Sequence, residues 1–319
     1  MGEQTQRFRL LTRSDFDGLV SSVLLKALDL IDEIKFVHPK DMQDGLIPVS
    51  VHDISTNLPY VDGIHLAFDH HASERDRVGA RDNLIIDPDA PSAARVVYEH
   101  FGGRERFPSI SEEMLAAVDK GDSARFTLDE VLHPEGWNLL NFITDARTGL
   151  GRFKNFRVSN HQLMMDLIDY CVQYPIEEIL AISDVSERVN LYFEHEARFQ
   201  EQLRASAEVH GNVLVNDLRR FDVIYAGNRF VKHALFPETD IAVQVMWGFQ
   251  KQNTVITLGK SIFDRSSPVN VGALMLQYRG GGHEAAGTCQ VANDEADHTV
   301  TEIVQTIRHL RNGNGTDTQ

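Results

Sequence analysis

The chain has 319 residues, of which 42% are hydrophobic, and it carries a formal net charge of -16 at pH 7. This length suits two domains better than one. The acidic balance argues against a long nucleic acid as partner, because such binding depends on Lys and Arg side chains that neutralise phosphates. Short anionic substrates remain open if metal ions compensate the acidic residues locally.

The two cysteines, Cys171 and Cys289, lie far apart and lack the spacing of a metal site. A disulfide framework or a thiolate zinc site is therefore not expected, and buried thiols in a reducing compartment are. The first residues have no apolar signal core, and no run of about 18 apolar residues occurs. These features predict a cytoplasmic protein that does not bind a membrane.

Near the start of the chain, a short apolar strand pattern at residues 7–12 leads into Asp15, Asp17 and Gly18 and then into a helical pattern at residues 19–30. Two acids at positions i and i+2 on a strand-to-helix turn direct their carboxylates to the same side. Such a pair suits a hard divalent cation. It equally suits the capping of a helix, and the motif alone does not decide between the two.

Similar segments that end in acids recur along the first half of the chain. A strand pattern at residues 47–51 ends in His52-Asp53, and one at residues 64–69 ends in Asp69-His70-His71. Since the carboxyl ends of parallel strands meet at one edge of a sheet, these side chains are expected to converge there. An imidazole among carboxylates shifts the metal preference towards Mn, Co or Fe.

Further strands at residues 34–37 and 84–86 alternate with helices at residues 93–101 and 112–118. This alternation predicts an α/β fold with a mostly parallel sheet flanked by helices. Ser92 is the expected cap of the helix at residues 93–101. Asp119 and Asp122 follow the last helix, and the choice between them as a fourth ligand stays open.

A long amphipathic helical stretch at residues 176–204 is expected to link two domains, with the boundary near residue 205. The predicted domains are thus residues 1–205, which include the helical linker, and residues 206–319, a smaller α/β part. Two helical stretches and several short strands are expected beyond the boundary, the strands at residues 213–215, 223–225, 241–246 and 254–258.

The second part contains a glycine-rich run, Gly280, Gly281 and Gly282, followed by His283. Successive glycines can direct several N–H groups at one anion, although a flexible surface turn is the commoner explanation of such a run. Upstream, Ser261 and Arg265 follow a strand pattern and offer further donors to an anion.

The order of these motifs resembles that of the DHH phosphoesterase superfamily with its C-terminal DHHA1 domain. The motifs that carry the resemblance are Asp15-Phe16-Asp17-Gly18, Asp53, Asp69-His70-His71, Asp119 and the run from Gly280 to His283. The resemblance spans almost the whole chain. It implies a metal-dependent phosphoesterase that acts on small phosphorylated nucleotides or short RNA, through in-line attack by activated water. Hydrolysis of polyphosphate or another non-nucleotide phosphate, and a non-catalytic nucleotide-binding regulator, are the alternatives.

The resemblance also assigns roles to residues. It implies Asp15, Asp17, Asp53, His70 and Asp119 as metal ligands, with Asp53 shared between two ions, and His71 facing the phosphate. It implies substrate contacts from the second domain by Gly280, Gly281, Gly282, His283, Ser261 and Arg265. The implied cofactor is Mn²⁺, with Mg²⁺ or Co²⁺ as alternatives, and a homodimer is an open expectation.

One departure concerns the first metal. The family supplies a His or Asp ligand a few residues before Asp15, where this chain has Leu11 and Arg13. Neither can bind a metal ion, because a guanidinium stays protonated and has no lone pair to offer. We therefore expect one or two ions, with Arg13 as a catalytic contact to the substrate phosphate in place of the missing ligand.

Overall fold

The computed structural model describes residues 6–313, which form two compact units. The first comprises the chain up to Phe126 together with Pro134–Tyr192, and the second comprises Thr127–His133 and the chain from Phe193 onward. The chain passes from one to the other inside a long helix, and the domain boundary near residue 205 stays a prediction. In the part of the chain described, no helix is long and apolar enough to cross a membrane.

The first unit is built on a five-stranded parallel sheet in the order β2-β1-β3-β4-β5. The strands are β1 Phe8–Thr12, β2 Ile31–Phe36, β3 Asp53–Thr56, β4 Leu66–Asp69 and β5 Leu84–Ile86. Leu10, Leu11 and Phe68 are fully buried, which is typical of a parallel sheet covered on both faces. The predicted α/β fold is confirmed.

Helices surround this sheet. They are α1 Phe16–Ala27, α2 Pro39–Gln43, α3 Ala72–Val78, α4 Ala93–His100, α5 Gly103–Arg106, α6 Glu112–Asp122, α8 Gly136–Thr144, α9 Asn160–Gln173 and α10 Ile176–Ala181, with 3-10 turns at Ala146–Thr148 and Leu150–Arg152. The short helix α7 Leu128–Leu132 belongs to the second unit, and α11 Ser183–Ser206 contributes to both units.

The second unit has a six-stranded mixed sheet in the order β10-β11-β9-β8-β7-β6. The strands are β6 Ala207–His210, β7 Val213–Asp217, β8 Ile241–Trp247, β9 Thr254–Lys260, β10 Gly281–Gly282 and β11 Ala286–Val291. The pair β7–β8 is parallel and the other pairs are antiparallel. Helices α12 Val231–Leu235, α13 Val271–Leu276 and α14 Ala296–Gly313 and a 3-10 turn at Phe249–Lys251 complete the unit.

Three local expectations are wrong. Residues 47–51 form no strand, because the chain turns there and the ladder begins only at Asp53, whose N–H donates to Ser50 O. Residues 223–225 also lie outside the sheet. In the part of the chain described, three helices follow α11 instead of two, and the short helix α12 is the additional one.

Candidate active site

The carboxyl edge of the first sheet begins with Asp15, the N-cap of α1. Its carboxylate accepts a hydrogen bond from Gly18 N at 3.0 Å. A Cβ atom at Gly18 would lie 2.0 Å from Arg13 O, so only glycine fits under this turn. Burial raises the pKa of Asp15, while the positive charge of Arg13 opposes that rise. The capping explanation of the motif therefore applies to Asp15, whose carboxylate bonds to the first turn of the helix.

Asp17 is buried in the first turn of α1, two residues after Asp15. Its two oxygens accept hydrogen bonds from Ala93 N at 3.0 Å and Ala94 N at 2.7 Å, the first amides of α4. Burial, followed by the negative charge of Asp122, raises the pKa of Asp17 to about 7. The carboxylate is thus fixed in position yet insufficiently compensated when no cation is bound.

The Asp69-His70-His71 triplet lies where β4 ends. The Oδ1 atom of Asp69 accepts the backbone N–H of His70 at 2.8 Å and lies 2.8 Å from His71 Nδ1. Burial lowers the pKa of His71, but the hydrogen bond to Asp69 and the charges of Asp69 and Asp122 together outweigh this effect, and the pKa is raised. Asp69 therefore orients the His71 imidazole and bonds to the backbone of His70, and it leaves His71 with 39% of its side chain exposed.

His70 is the more enclosed of the two imidazoles. Its Nδ1 atom lies 3.2 Å from Ala90 O, and its Nε2 atom lies 2.8 Å from Oδ2 of Asp122. Burial lowers the pKa of His70, but the contact with Asp122 and the charges of Asp17 and Asp69 outweigh it and raise the pKa to about 9. An imidazole here is surrounded by carboxylates.

The group formed by Asp17, His70 and Asp122 fits a divalent cation. One donor atom from each lies within 4.8 Å of the other two. Among the described residues, His70 Nε2 is buried without a well-aligned hydrogen bond, although Asp122 is close. A cation would accept this nitrogen lone pair and remove the repulsion between Asp17 and Asp122. Carboxylate oxygens with one imidazole are a donor set that suits Mn²⁺ or a related ion.

Asp119 and Asp122 are both on α6 and have different surroundings. Asp119 accepts hydrogen bonds from Arg95 Nη2 at 2.6 Å and from Ser92 Oγ at 2.7 Å. It belongs to neither group of converging metal-binding side chains, whereas Asp122 lies against His70. The structure thus places Asp119 in an ion pair and Asp122 in the cluster, which favours Asp122 as the fourth ligand to be proposed.

The expected placement of Asp53 is corrected. Asp53 begins β3 instead of ending a strand, and it pairs in register with Arg9 near the start of β1. Its carboxylate lies 2.7 Å from Arg9 Nε and accepts Ser50 N at 2.6 Å. Parallel strands that start together place Asp53 at the amino edge of the sheet, opposite the edge that carries Asp15 and Asp69.

Two arginines act on the acids of the site. Arg13 Nε lies 3.1 Å from Asp15 Oδ2. Arg147 donates to Asp145 at 2.7 Å, and its positive charge also acts on Asp15 and Asp122. Arg13 is thus beside Asp15, as its proposed compensating role requires. No motif around Arg147 could have revealed it, because it comes from a 3-10 turn far along the chain from Asp15.

In the second unit, the glycine run forms β10 and not an open loop. Gly280 N donates to Met275 O, and His283 N donates to Ala286 O at 2.9 Å. A Cβ atom at Gly280 would lie 2.2 Å from Thr288 O, and one at Gly282 2.3 Å from Ala286 O. The glycines therefore allow β10 and β11 to approach closely, and the predicted role of Gly280, Gly281 and Gly282 in binding an anion stays a prediction.

The other expected substrate contacts of the second unit differ in exposure. His283 is exposed, and its Nδ1 atom accepts Ala285 N at 3.2 Å. Arg265 is also exposed. Ser261 is 3% exposed, and its hydroxyl accepts Phe263 N and Asp264 N, so it caps a turn. His283 and Arg265 thus present accessible side chains, and Ser261 does not.

Comparison with known proteins identifies a relative that covers almost the whole chain. The solved structure of a pGpG-specific phosphodiesterase, PggH from Vibrio cholerae, is 57% identical, covers 95% of this chain and 99% of its own, and has a TM-score of 0.82. No family model matches the chain. A search of curated proteins also finds no match.

Two more distant structures share the fold. RecJ from Thermus thermophilus, solved with Mn²⁺, is 14% identical with a TM-score of 0.51, and covers 96% of this chain and 52% of its own. CDC45 from Entamoeba histolytica is 8% identical with a TM-score of 0.55, and covers 96% of each chain.

Three observations support one family: the order of the acidic and histidine motifs, the parallel sheet that carries them, and the 57% identical relative. The chain belongs to the DHH phosphoesterase superfamily and is a phosphoric ester hydrolase.

Proposed function

We propose that this protein hydrolyses the phosphodiester bond of short, 5′-phosphorylated dinucleotides of the pGpG type, with one divalent cation per chain. The observation that carries the proposal is the convergence of Asp17, His70 and Asp122 within 4.8 Å at the carboxyl edge of the sheet. The 57% identical relative, whose printed specificity is pGpG, supports the choice of substrate. The net charge of -16 supports a short substrate over a long one.

Asp17, His70 and Asp122 are the proposed ligands, and Mn²⁺ is the proposed ion, because imidazole favours it over Mg²⁺. A cation bound there supplies Lewis-acid stabilisation of the phosphate and lowers the pKa of water. The ligands are held by neighbouring groups: the α4 amides fix Asp17, and Ala90 O lies beside His70 Nδ1. That support keeps the donor atoms in place before binding.

Arg13 takes the place that a second cation would have beside Asp15. A guanidinium is always charged and donates in a plane, so it can bind a phosphate oxygen while it compensates Asp15. The charge of Arg147 acts on the same carboxylate. Asp15 is therefore proposed as the orienting partner of arginine and not as a ligand of a second ion.

His71 is proposed as the group that faces the scissile phosphate. Asp69 holds Nδ1, so Nε2 is the ring nitrogen that points away from this support. A raised pKa favours the protonated ring, which can donate to a phosphate oxygen or to the leaving oxygen. His283 and Arg265, which are exposed in the second unit, remain proposed substrate contacts. Residues 206–319 remain the proposed substrate-binding domain.

The proposal is tested by turnover with Mn²⁺ on four substrates: pGpG, pApA, a long single-stranded RNA and polyphosphate. We expect the dinucleotides to be cleaved and the long RNA and polyphosphate to be poor substrates. Asp122→Asn is expected to abolish turnover, and Asp29→Asn, at an exposed acid paired with Arg7, is its control. Preferential cleavage of polyphosphate, or no hydrolysis of any dinucleotide, would overturn the proposal.

A further inference from the structure

One face of the second sheet packs against α13 and α14, and the other face carries a polar row whose end at Asn216 is covered by α11. Val243 and Val245 of β8 belong to the buried core, so Gln244 and Met246 lie on the opposite face. Residues directly opposite in paired strands share a face. Strand register therefore aligns one row across the sheet: Asn216, Gln244, Thr257, Thr288 and Gly281.

Lys232 of α12 lies over this row. Its Nζ atom donates to Gln244 Oε1 at 3.3 Å. Among residues 6–313, no carboxylate forms an ion pair with Lys232, although the chain has far more acids than bases. A half-buried ammonium without a counter-charge is costly. Burial, and then the charge of Arg229, lower the pKa of Lys232 to about 8. This direction is the one expected for a buried ammonium that has no acidic group beside it.

The surroundings of Lys232 suit a purine base better than a phosphate. Gln244 presents an amide oxygen here, and an acceptor atom would repel a phosphate. Among residues 6–313, its Nε2 atom bonds only to the thioether of Met246 at 3.3 Å, a weak acceptor that a ligand can replace. Met246 pairs with Val255 in register, so a half-buried apolar patch adjoins the polar groups. Cation, amide and apolar surface together match the edge and face of a base.

We propose that Lys232 and Gln244 form a subsite for the carbonyl edge of a purine base, which guanine presents through O6 and N7. Lysine donates to these two acceptors in known base recognition. Adenine has an amino group in place of O6, so the subsite discriminates between the two purines. This inference rests on the proposed function, because the subsite would bind a base of the dinucleotide substrate. It assigns the selection of guanine over adenine to Lys232 and Gln244.

The test measures binding without catalysis, by calorimetric titration of GMP, AMP and inorganic phosphate into the full chain at fixed Mn²⁺. Wild type is expected to bind GMP more tightly than AMP. Lys232→Met is expected to weaken GMP binding by roughly 10- to 100-fold, the usual effect of one base contact, and to leave phosphate binding unchanged. Lys40→Met, at an exposed lysine paired with Asp44 in the first unit, is the charge control.

A second variant guards against misfolding of the first. Gln244→Glu keeps Lys232 but gives it a carboxylate partner, and it is expected to produce a similar loss of GMP affinity. The proposal is overturned if both variants bind GMP as wild type does, if GMP and phosphate affinity fall equally, or if wild type does not distinguish GMP from AMP. The function proposal fails separately, when wild type binds GMP through Lys232 but hydrolyses no dinucleotide.

Discussion

Buried acids at the two edges of the parallel sheet in the first unit differ in how far neighbouring groups compensate their charge. At the amino edge, Asp53 is 1% exposed and fully engaged by Arg9 and by the backbone and hydroxyl of Ser50. At the carboxyl edge, Asp17 and Asp122 share one imidazole, and the pKa of Asp17 is raised to about 7. A satisfied carboxylate stabilises the fold, whereas an under-compensated group is ready to bind a cation.

The largest expected effect is the loss of turnover in a variant at the carboxyl edge, compared with a variant at the amino edge. His70→Ala should lower turnover by roughly 10³-fold or more, because the cation that stabilises the reacting phosphate is lost. Bound Mn²⁺, measured by mass spectrometry of the desalted protein, should fall in parallel. Asp53→Asn should instead retain Mn²⁺ and turnover, and should lower the free energy of unfolding by about 2 kcal/mol through loss of the Arg9 pair.

The comparison fails if Asp53→Asn releases the metal while its unfolding free energy stays at the wild-type value. Urea unfolding of both variants supplies this control. His70→Ala should unfold at a urea concentration close to that of the metal-free wild type.

A smaller effect is expected from Asp119, which acts through its neighbours. Asp119 holds Ser92 and Arg95, and Ser92 caps α4, whose first amides bind Asp17. Asp119→Ala should therefore weaken Mn²⁺ affinity by about 10- to 100-fold, the usual cost of removing an outer support of a ligand. The measurement is competition with a chelating dye.

Glu99→Gln is the matched control, because Glu99 is the exposed second partner of Arg95 at 3.4 Å. It should leave Mn²⁺ affinity unchanged. An equal loss of Mn²⁺ affinity in the two variants would show that the loss comes from disturbing Arg95. It would contradict the role of Asp119 in positioning Asp17.

The smallest expected effect is the pH dependence of the metal-free protein. Burial raises the pKa of Asp17 to about 7 from 3.8, and the acids around His70, acting against burial, raise its pKa to about 9 from 6.5. The folded state thus binds more protons than the unfolded state between these values, so stability falls as pH rises from about 4 to 9. The slope is at most about 1.4 kcal/mol per pH unit for each group.

Urea unfolding in EDTA at pH 5, 7 and 9 measures this slope, and Asp17→Asn should flatten it between pH 4 and 7. Mn²⁺ replaces the protons, so the stabilisation that it provides should increase with pH. An identical pH profile for wild type and Asp17→Asn would show that Asp17 ionises normally.

Local sequence patterns predicted the parts of the fold that depend on local chemistry. The strand before Asp15, the Ser92 cap and the strand end at Asp69 all lie as expected, because each is set by neighbouring residues. The choice between Asp119 and Asp122 could not be made this way. Both lie on α6 three residues apart, and they are distinguished by partners distant in sequence, Arg95 beside Asp119 and His70 beside Asp122.

Asp53 shows a second limit of sequence reasoning. The apolar residues on both sides of His52 suit a strand equally well, and the choice is made by a turn at Ser50 and the register with β1. Arg147 and Lys232 gave no local signal at all, because their importance comes from the charges and amides that surround them in the folded chain.

The central claim is that one cation is bound by Asp17, His70 and Asp122. An anomalous-difference map from a crystal of the protein grown with Mn²⁺ tests this most directly. We predict one strong peak per chain, bonded to His70 Nε2 and to carboxylate oxygens of Asp17 and Asp122, with Arg13 against Asp15. A second peak at Asp15, or a peak bonded to Asp53 or Asp119, would contradict the account.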